Sequence, residues 1–533
     1  MFDILIKKGC IVDGGLRKAY IGDIGVKDGL IAAIGQGLAA EAQTVIEASG
    51  LVVTPGFIDV HSHNDLVACM GEELKSLKIK QGVTTELVGQ CGLGVVPCVE
   101  PLNNSWKNYI SGVVGNPDFK WQFGDMENYF QKIESFGMKN NLAALVSHGA
   151  IRSNVMGLSS EKASKEQIKA MVSILERALD MGAFGMSLGL QYMPGIFSDK
   201  TELIALCKKV AEYDGILMVH LRNHDISILR ALDEMYEVAD ASKVKLHISH
   251  LRSYDSEVLG ANAEKLIESI DHAVGKGIQV TFDEHLYLSG STLMTQLLPP
   301  WMTAGGSQEM KMRLKDKEML LRLRLELKDP SIHYEGWDNY SYITGWDGIM
   351  ITSVKKDIHK AYQGRTVGSI ALELGKDPLD FALELLVEED FGVAIVTMDV
   401  FSEKDTIDLI NHPLQMVGSD SIPAGNPHPR LYGNYPLFLG KYVRDLKALS
   451  LEEAVYKMTG MPAKTLNLKK TGTLEVGKIA DITVFDFDNI RGYEDYFEPR
   501  KKPIGIEYVI VNGHIALEKG TVAKKSFGKI LKK

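Results

Sequence analysis

The stretch LVVTPGFIDVHSHND, residues 51–65, decides how the rest of the chain is read. Leu51–Val53 form a short β-type run, Pro55-Gly56 break it, and Phe57–Val60 follow as a second buried strand that ends in His61-Ser62-His63. Side chains alternate faces along a strand, so residues two apart point the same way. His61 and His63 would therefore project side by side from a strand end, where two imidazoles can grip one metal ion. An isolated His-x-His is as readily a pair of solvated loop histidines. Here an apolar strand delivers the pair, and further His and Cys residues end later strands.

Working outward, apolar strand candidates recur at Phe57–His61, Thr84–Val88, Leu142–Ser147, Phe184–Leu188, Ile216–His220, Leu246–His250, Val280–Asp283 and Met416–Ser419. Between them lie stretches such as KEQIKAMVSILERALDMG and AEKLIESIDHAVGKG, with helical periodicity and a closing glycine. Eight strands alternating with helices predict an α/β fold built on a (β/α)8 TIM-like barrel over 55–465. A doubly wound open sheet is the runner-up, and no Gly-rich phosphate turn after a strand favours it. A barrel sets its strand ends on one face, so residues distant in sequence converge there.

The stretch 293–392 breaks this rhythm. It carries LLPPW, the charged segment MKMRLKDKEMLLRLRLEL and the aromatic WDNYSYITGWDG, and is expected to be an insertion covering the active-site face. Residues 1–54 and 466–533 have a third texture, short β-type runs punctuated by glycine, with Asn512-Gly513 as a hairpin turn. Neither end is large enough alone, so together they are expected to complete one small β-sandwich domain.

Length and composition agree with a multi-domain globular protein. The chain has 533 residues and a formal charge of −10, with no basic stripe to neutralise phosphates, which argues against nucleic-acid binding. The N-terminal residues lack the layout of a signal peptide and no run approaches membrane-spanning length. Five scattered cysteines fit a reducing cytoplasm better than a disulfide framework.

Beyond His61 and His63, the strand ends supply the chemistry. Cys91 stands in GQCGLG after the second strand, His220 ends ILMVH, His250 ends LHISH, and Asp420 follows the last strand in MVGSDS. A buried cysteine is commonly a small hydrophobe, and a lone strand-end histidine is more often structural. His220 and His250 on successive strands, joined by Cys91 and the His61/His63 pair, make a five-ligand set for which a metal site is the better reading, since thiolate and imidazole both bind Zn²⁺.

These stretches resemble the amidohydrolase superfamily and, within it, the D-aminoacylase (N-acyl-D-amino-acid deacylase) family. The resemblance rests on PGFIDVHSHND, GVTTELVGQCG, GAFGMSLGLQY, MVHLR, ISHLR, GSTLMTQLLPPW, MVGSDSIP, HPRLYGNYP and TLEVGKIADITVFD, which span nearly the whole chain. It implies a zinc-dependent hydrolase releasing a carboxylate and a free D-amino acid from a small N-acyl-D-amino acid. Cys91, His220 and His250 would hold one tight Zn²⁺, Cys91 standing where related hydrolases use a carboxylated lysine. His61, His63 and Asp420 would line a second, weaker site. Hydroxide generated at the metal would attack the acyl carbonyl, with Asp420 as general base and then acid. Tyr287, Ser291, Arg430 and Arg252 would meet the substrate, the guanidinium of Arg430 pairing with its α-carboxylate. The chain departs from the family at His285-Leu286-Tyr287, where Tyr-Pro-Tyr is usual, at Ser421 for a glycine, and at Leu297, where members acting on acidic side chains carry Arg. Leu297 favours a neutral substrate side chain, whereas Arg252 leaves an acidic one open. A hydantoinase- or dihydroorotase-like cyclic-amide hydrolase, or a dipeptidase acting on a C-terminal D-residue, is the alternative.

Overall fold

The structure is a computed structural model and describes residues 1–99, 104–254 and 261–533. Its centre is a ring of eight short parallel strands: Phe57–Asp59, Val83–Val88, Asn141–Ala144 continued by Val146–Ser147, Gly185–Gly189, Ile216–His220, Lys245–Ile248, Val280–Glu284 and Gln415–Val417. Each pairs in parallel with the next. The ring closes beyond the eighth strand, where Ser62 and Ser421 form a parallel bridge. There the Asp420 N–H donates to His61 O at 2.8 Å and the His63 N–H to Ser421 O at 3.0 Å. All eight expected strands are present, with ends shifted by a few residues at most.

Residues Val83–Val88 are buried throughout, as expected of a strand with packed layers on both sides. The outer layer includes helices Lys165–Asp180, Lys200–Glu212, Ile228–Ser242 and Ala263–Gly275. Ser164 caps the first with a reciprocal bond to Gln167, and Asn262 caps the last. Their apolar stripes (Met171, Leu175, Leu203, Leu206, Leu232, Met235, Leu266, Ile270) are buried in one large core cluster.

The closure seam carries a buried charge pair. Lys78 Nζ pairs with Asp59 Oδ2 and donates to Ser419 Oγ at 2.7 Å and Ser421 Oγ at 2.8 Å. Asp59 also accepts from the Ser419 N–H at 2.9 Å. The network ties the first strand to the loop after the eighth, directly beneath His61 and Asp420. Lys78→Met is expected to lower unfolding free energy by about 3–5 kcal/mol, because it leaves the Asp59 carboxylate buried without its cation. A denaturant midpoint close to that of the wild-type protein would contradict this role.

Between the seventh and eighth strands the chain leaves the barrel. Gly290–Leu293, Ile349–Ser353, Arg365–Thr366 and Ala394–Thr397 form a separate antiparallel sheet, slightly wider than the expected 293–392 insertion. The charged segment folds as two helices, Ser307–Arg313 and Lys317–Glu326, the second capped by Asp316. Asp338, Tyr340 and Phe401 bring this region onto the barrel mouth.

Both chain ends contribute to one nine-stranded sheet, in which Val52–Pro55 pairs with Ile482–Phe485. Ile4, Ile6 and Ile24 from one end share a core cluster with Ile482, Val484 and Ile510 from the other, so the sheet folds over its own interior. The opposite face, through Val509, Val511 and Phe485, packs with Phe57 and Tyr435 of the barrel. Asn512 and Gly513, at φ 50° and 80°, make the expected tight turn. Among the described residues, no helix is long and apolar enough to cross a membrane.

Candidate metal centre

The strand-end residues meet at the C-terminal mouth of the barrel, the face on which such barrels carry their sites. His61 and His63 follow the first strand, Cys91 the second, His220 closes the fifth, His250 follows the sixth and Asp420 the eighth. Cys91, His250 and Asp420 each have positive φ, at 52°, 36° and 47°. Left-handed backbone costs a non-glycine residue about 1–2 kcal/mol, so three such positions at one site mark strain held by the surrounding fold. The Cys91 loop lies against the fourth strand so closely that a Cβ on Gly189 would sit 1.9 Å from Cys91 O. Only glycine fits there.

The donor atoms fall into three overlapping groups, each within 4.8 Å: His61–His63–Cys91, Cys91–His220–His250, and His61–His250–Asp420. Cys91 Sγ lies 3.5 Å from His250 Nε2 and 3.3 Å from His61 Nε2, and His220 Nδ1 lies 3.0 Å from His250 Nε2. Asp420 Oδ1 is 3.2 Å from His63 Nε2 and 3.5 Å from His61 Nε2. Tetrahedral bonds of about 2.3 Å to sulfur and about 2.0–2.1 Å to nitrogen imply roughly 3.5 Å between S and N ligands and roughly 3.3 Å between two N ligands. The thiol–imidazole and imidazole–imidazole spacings match these values within a few tenths of an ångström. The donor set fits a divalent metal.

Neighbouring groups orient these ligands. Asp283 Oδ2 lies 3.1 Å from His61 Nδ1 and 2.8 Å from His247 Nε2, while its other oxygen accepts the His250 N–H at 3.0 Å. Gln191 Oε1 lies 2.7 Å from His220 Nε2, and its amide donates to Asp338 of the inserted region. The contacts at His61 Nδ1 and His220 Nε2 leave the opposite ring nitrogen of each facing the other ligands. Burial disfavours charge on His61, but Asp283, Cys91 and Asp420 outweigh it and hold its pKa well above the usual histidine range. Burial drives His250 down to about 3. Asp420 is buried too, yet Arg430 and then His61 keep its carboxyl well below the usual carboxylate range.

A cavity of about 40 Å³ opens over the cluster. Its wall includes His63, Cys91, His220, His224, His250, His285, Ser291, Asp420 and Arg430, with Leu93, Val113, Ile422 and Phe401 as apolar lining. Arg430 Nη2 lies 2.9 Å from Asp420 Oδ2, while its Nε has no hydrogen-bond partner. Ser291 lines the cavity with its hydroxyl donating to Ile395 O at 3.0 Å.

Two expected substrate contacts lie elsewhere. Tyr287 is fully buried outside the wall, its hydroxyl donating to Pro429 O at 3.3 Å. Arg252 points away, donating to the carbonyls of His285 and Tyr287 and pairing with Glu284, while its guanidinium stacks 4.7 Å over Phe401. Leu297 is likewise a core residue away from the wall. Conversely, nothing in the sequence singles out His224, Gln191 or Asp338 as site residues, because single residues in loops carry no periodic signal.

A model of the amidohydrolase family matches residues 44–318 and 370–517. A D-aminoacylase of Alcaligenes xylosoxydans xylosoxydans is 30% identical over 99% of this chain and 97% of its own length. The chain belongs to the amidohydrolases, in the D-aminoacylase family. Among solved structures, the N-acyl-D-glutamate deacylase of Bordetella bronchiseptica, complexed with zinc and a phosphonate mimic of the tetrahedral intermediate, is similar with a TM-score of 0.84, 29% identity and full coverage of both chains. A D-aminoacylase studied for its binuclear metal centre, with one-metal activation and second-metal attenuation, is similar with the same TM-score, 27% identity and full coverage. This amidohydrolase is a metal-dependent hydrolase of non-peptide amide C–N bonds.

Proposed function

We propose that the enzyme is a zinc-dependent N-acyl-D-amino-acid deacylase, releasing a carboxylate and a free D-amino acid. The observation that carries this reading is the buried Cys91–His220–His250 group beside an Asp420–Arg430 pair in one cavity. Cys91, His220 and His250 would hold a tight zinc ion, and His61, His63 and Asp420 a weaker second one. The similarity to a D-aminoacylase with one-metal activation supports a single working metal. When bound, zinc polarises the acyl carbonyl and lowers the pKa of its water to about 7.

The chain's own groups do the rest. Asp420, held ionised by Arg430 and His61, takes a proton from the attacking water and returns it to the amide nitrogen as the C–N bond breaks. Arg430 offers unspent guanidinium donors to the α-carboxylate, where a bidentate pair fixes both position and handedness. Ser291 lies on the same wall and can turn its hydroxyl toward that carboxylate. With Arg430 so engaged, no other cation among the described residues lines the cavity. The apolar lining then suits a neutral side chain.

The test is amine release, with added Zn²⁺, from paired N-acetyl-D- and N-acetyl-L-methionine, -leucine, -phenylalanine and -glutamate. Selective turnover of the D-series with glutamate poorest is the expected result. Absence of turnover in both series, with zinc bound, would sink the proposal.

A further inference from the structure

Two imidazoles on the cavity wall, His224 and His285, have no role above, and of these two only His224 has a buried ring nitrogen without a hydrogen-bond partner. His224 lies four residues beyond His220, in the loop after the fifth strand, and is 2% exposed. It belongs to none of the three ligand groups. Its ring centroid is 4.9 Å from that of His220 and 5.3 Å from that of His250, so it borders the metal centre without joining it.

The tautomer follows from its contacts. His224 Nδ1 lies 3.1 Å from Arg252 O, and a carbonyl can only accept. Nδ1 therefore carries the proton and Nε2 presents a bare lone pair. The backbone is pinned as well, the His224 N–H donating to Asp338 Oδ2 at 3.0 Å. Nε2 is buried and has no hydrogen-bond partner.

A buried acceptor left unmatched is costly, so a donor is expected when the cavity is in use. None of the nearby hydroxyls reaches it: Tyr192 bonds with Thr292 at 2.9 Å, Tyr254 with Tyr340 at 2.8 Å, and Ser291 donates to Ile395 O. With no protein donor on Nε2, a donor on the bound ligand can supply the bond. An N-acyl amino acid with an apolar side chain has an ionised carboxylate, an acyl oxygen and a single donor, its amide N–H.

We propose that His224 Nε2 accepts the substrate's amide N–H, which makes His224 a specificity residue selecting amides over esters. The inference rests on the deacylase reading. His224 takes no proton in the reaction: the N–H stays on nitrogen, the C–N bond breaks, and Asp420 delivers the second proton of the departing amine. The contact holds the scissile nitrogen in line with that delivery.

The test compares N-acetyl-D-leucine with its ester counterpart, O-acetyl-D-leucic acid, in which oxygen replaces the N–H. His224→Phe keeps a ring but removes the acceptor, and is expected to lower kcat/KM for the amide by about 10- to 100-fold while leaving the ester nearly unchanged. His224→Gln, whose side-chain oxygen can accept, should recover part of the loss on the amide alone. Equal losses on amide and ester in both variants would overturn the proposal, because a structural role or partial misfolding acts on both substrates alike. Failure of the wild-type enzyme on both substrates would instead overturn the deacylase reading, and this inference with it.

Discussion

Cys91→Ala is expected to strip the enzyme of both its metal and its activity. Cys91 belongs to two of the three ligand groups and is the only thiolate donor among them. Its left-handed backbone and the glycines around it are arranged to bring Sγ within 3.5 Å of His250 Nε2. With two imidazoles left, the tight site loses its one anionic ligand. Losing Lewis-acid stabilisation worth several kcal/mol lowers kcat by about 10³-fold or more. Elemental analysis should find far less than one zinc per chain. Circular dichroism taken alongside separates metal loss from fold loss, since the alanine removes a single buried sulfur from a large core cluster. A variant that keeps its full zinc content and its turnover would remove Cys91 from the centre.

Asp420→Asn is expected to show the converse pattern, with zinc retained and turnover lost. The asparagine is nearly isosteric, and Cys91, His220 and His250 are untouched. What disappears is the carboxylate that moves the proton, a contribution of about 10²–10⁴-fold in kcat. The same change leaves Arg430 without the partner 2.9 Å away, so KM should shift as well, as the guanidinium is no longer shared between Asp420 and the substrate carboxylate. Zinc content near that of the wild type with kcat within tenfold would show that another group carries the proton.

The features legible in the chain are those that a strand imposes. His61, His63, Cys91, His220, His250 and Asp420 could be singled out because each ends an apolar run, and barrel closure then forces strand ends together whatever their separation in sequence. The nine-stranded terminal sheet was readable for a similar reason: two short β-rich ends, neither able to bury its own face, have each other as partners. Side-chain direction in loops was not readable. Tyr287 and Arg252 sit at the right places in the chain, yet the tyrosine hydroxyl turns to Pro429 O and the guanidinium is consumed by two backbone carbonyls and Glu284. The same loop packing that hides Arg252 positions His224, whose Nδ1 bonds to the carbonyl of Arg252 itself. Gln191 and Asp338, 147 residues apart, form a chain of contacts from the inserted region to His220 that no local pattern could announce.

The measurement that bears most directly on the account is a zinc titration of metal-stripped enzyme, following amine release from N-acetyl-D-methionine and N-acetyl-L-methionine side by side. No activity is expected without metal, with a rise on the D-substrate that is complete near one equivalent of zinc and no comparable rise on the L-substrate. Activity that is undiminished in the stripped enzyme, or that appears equally for both enantiomers, would contradict it.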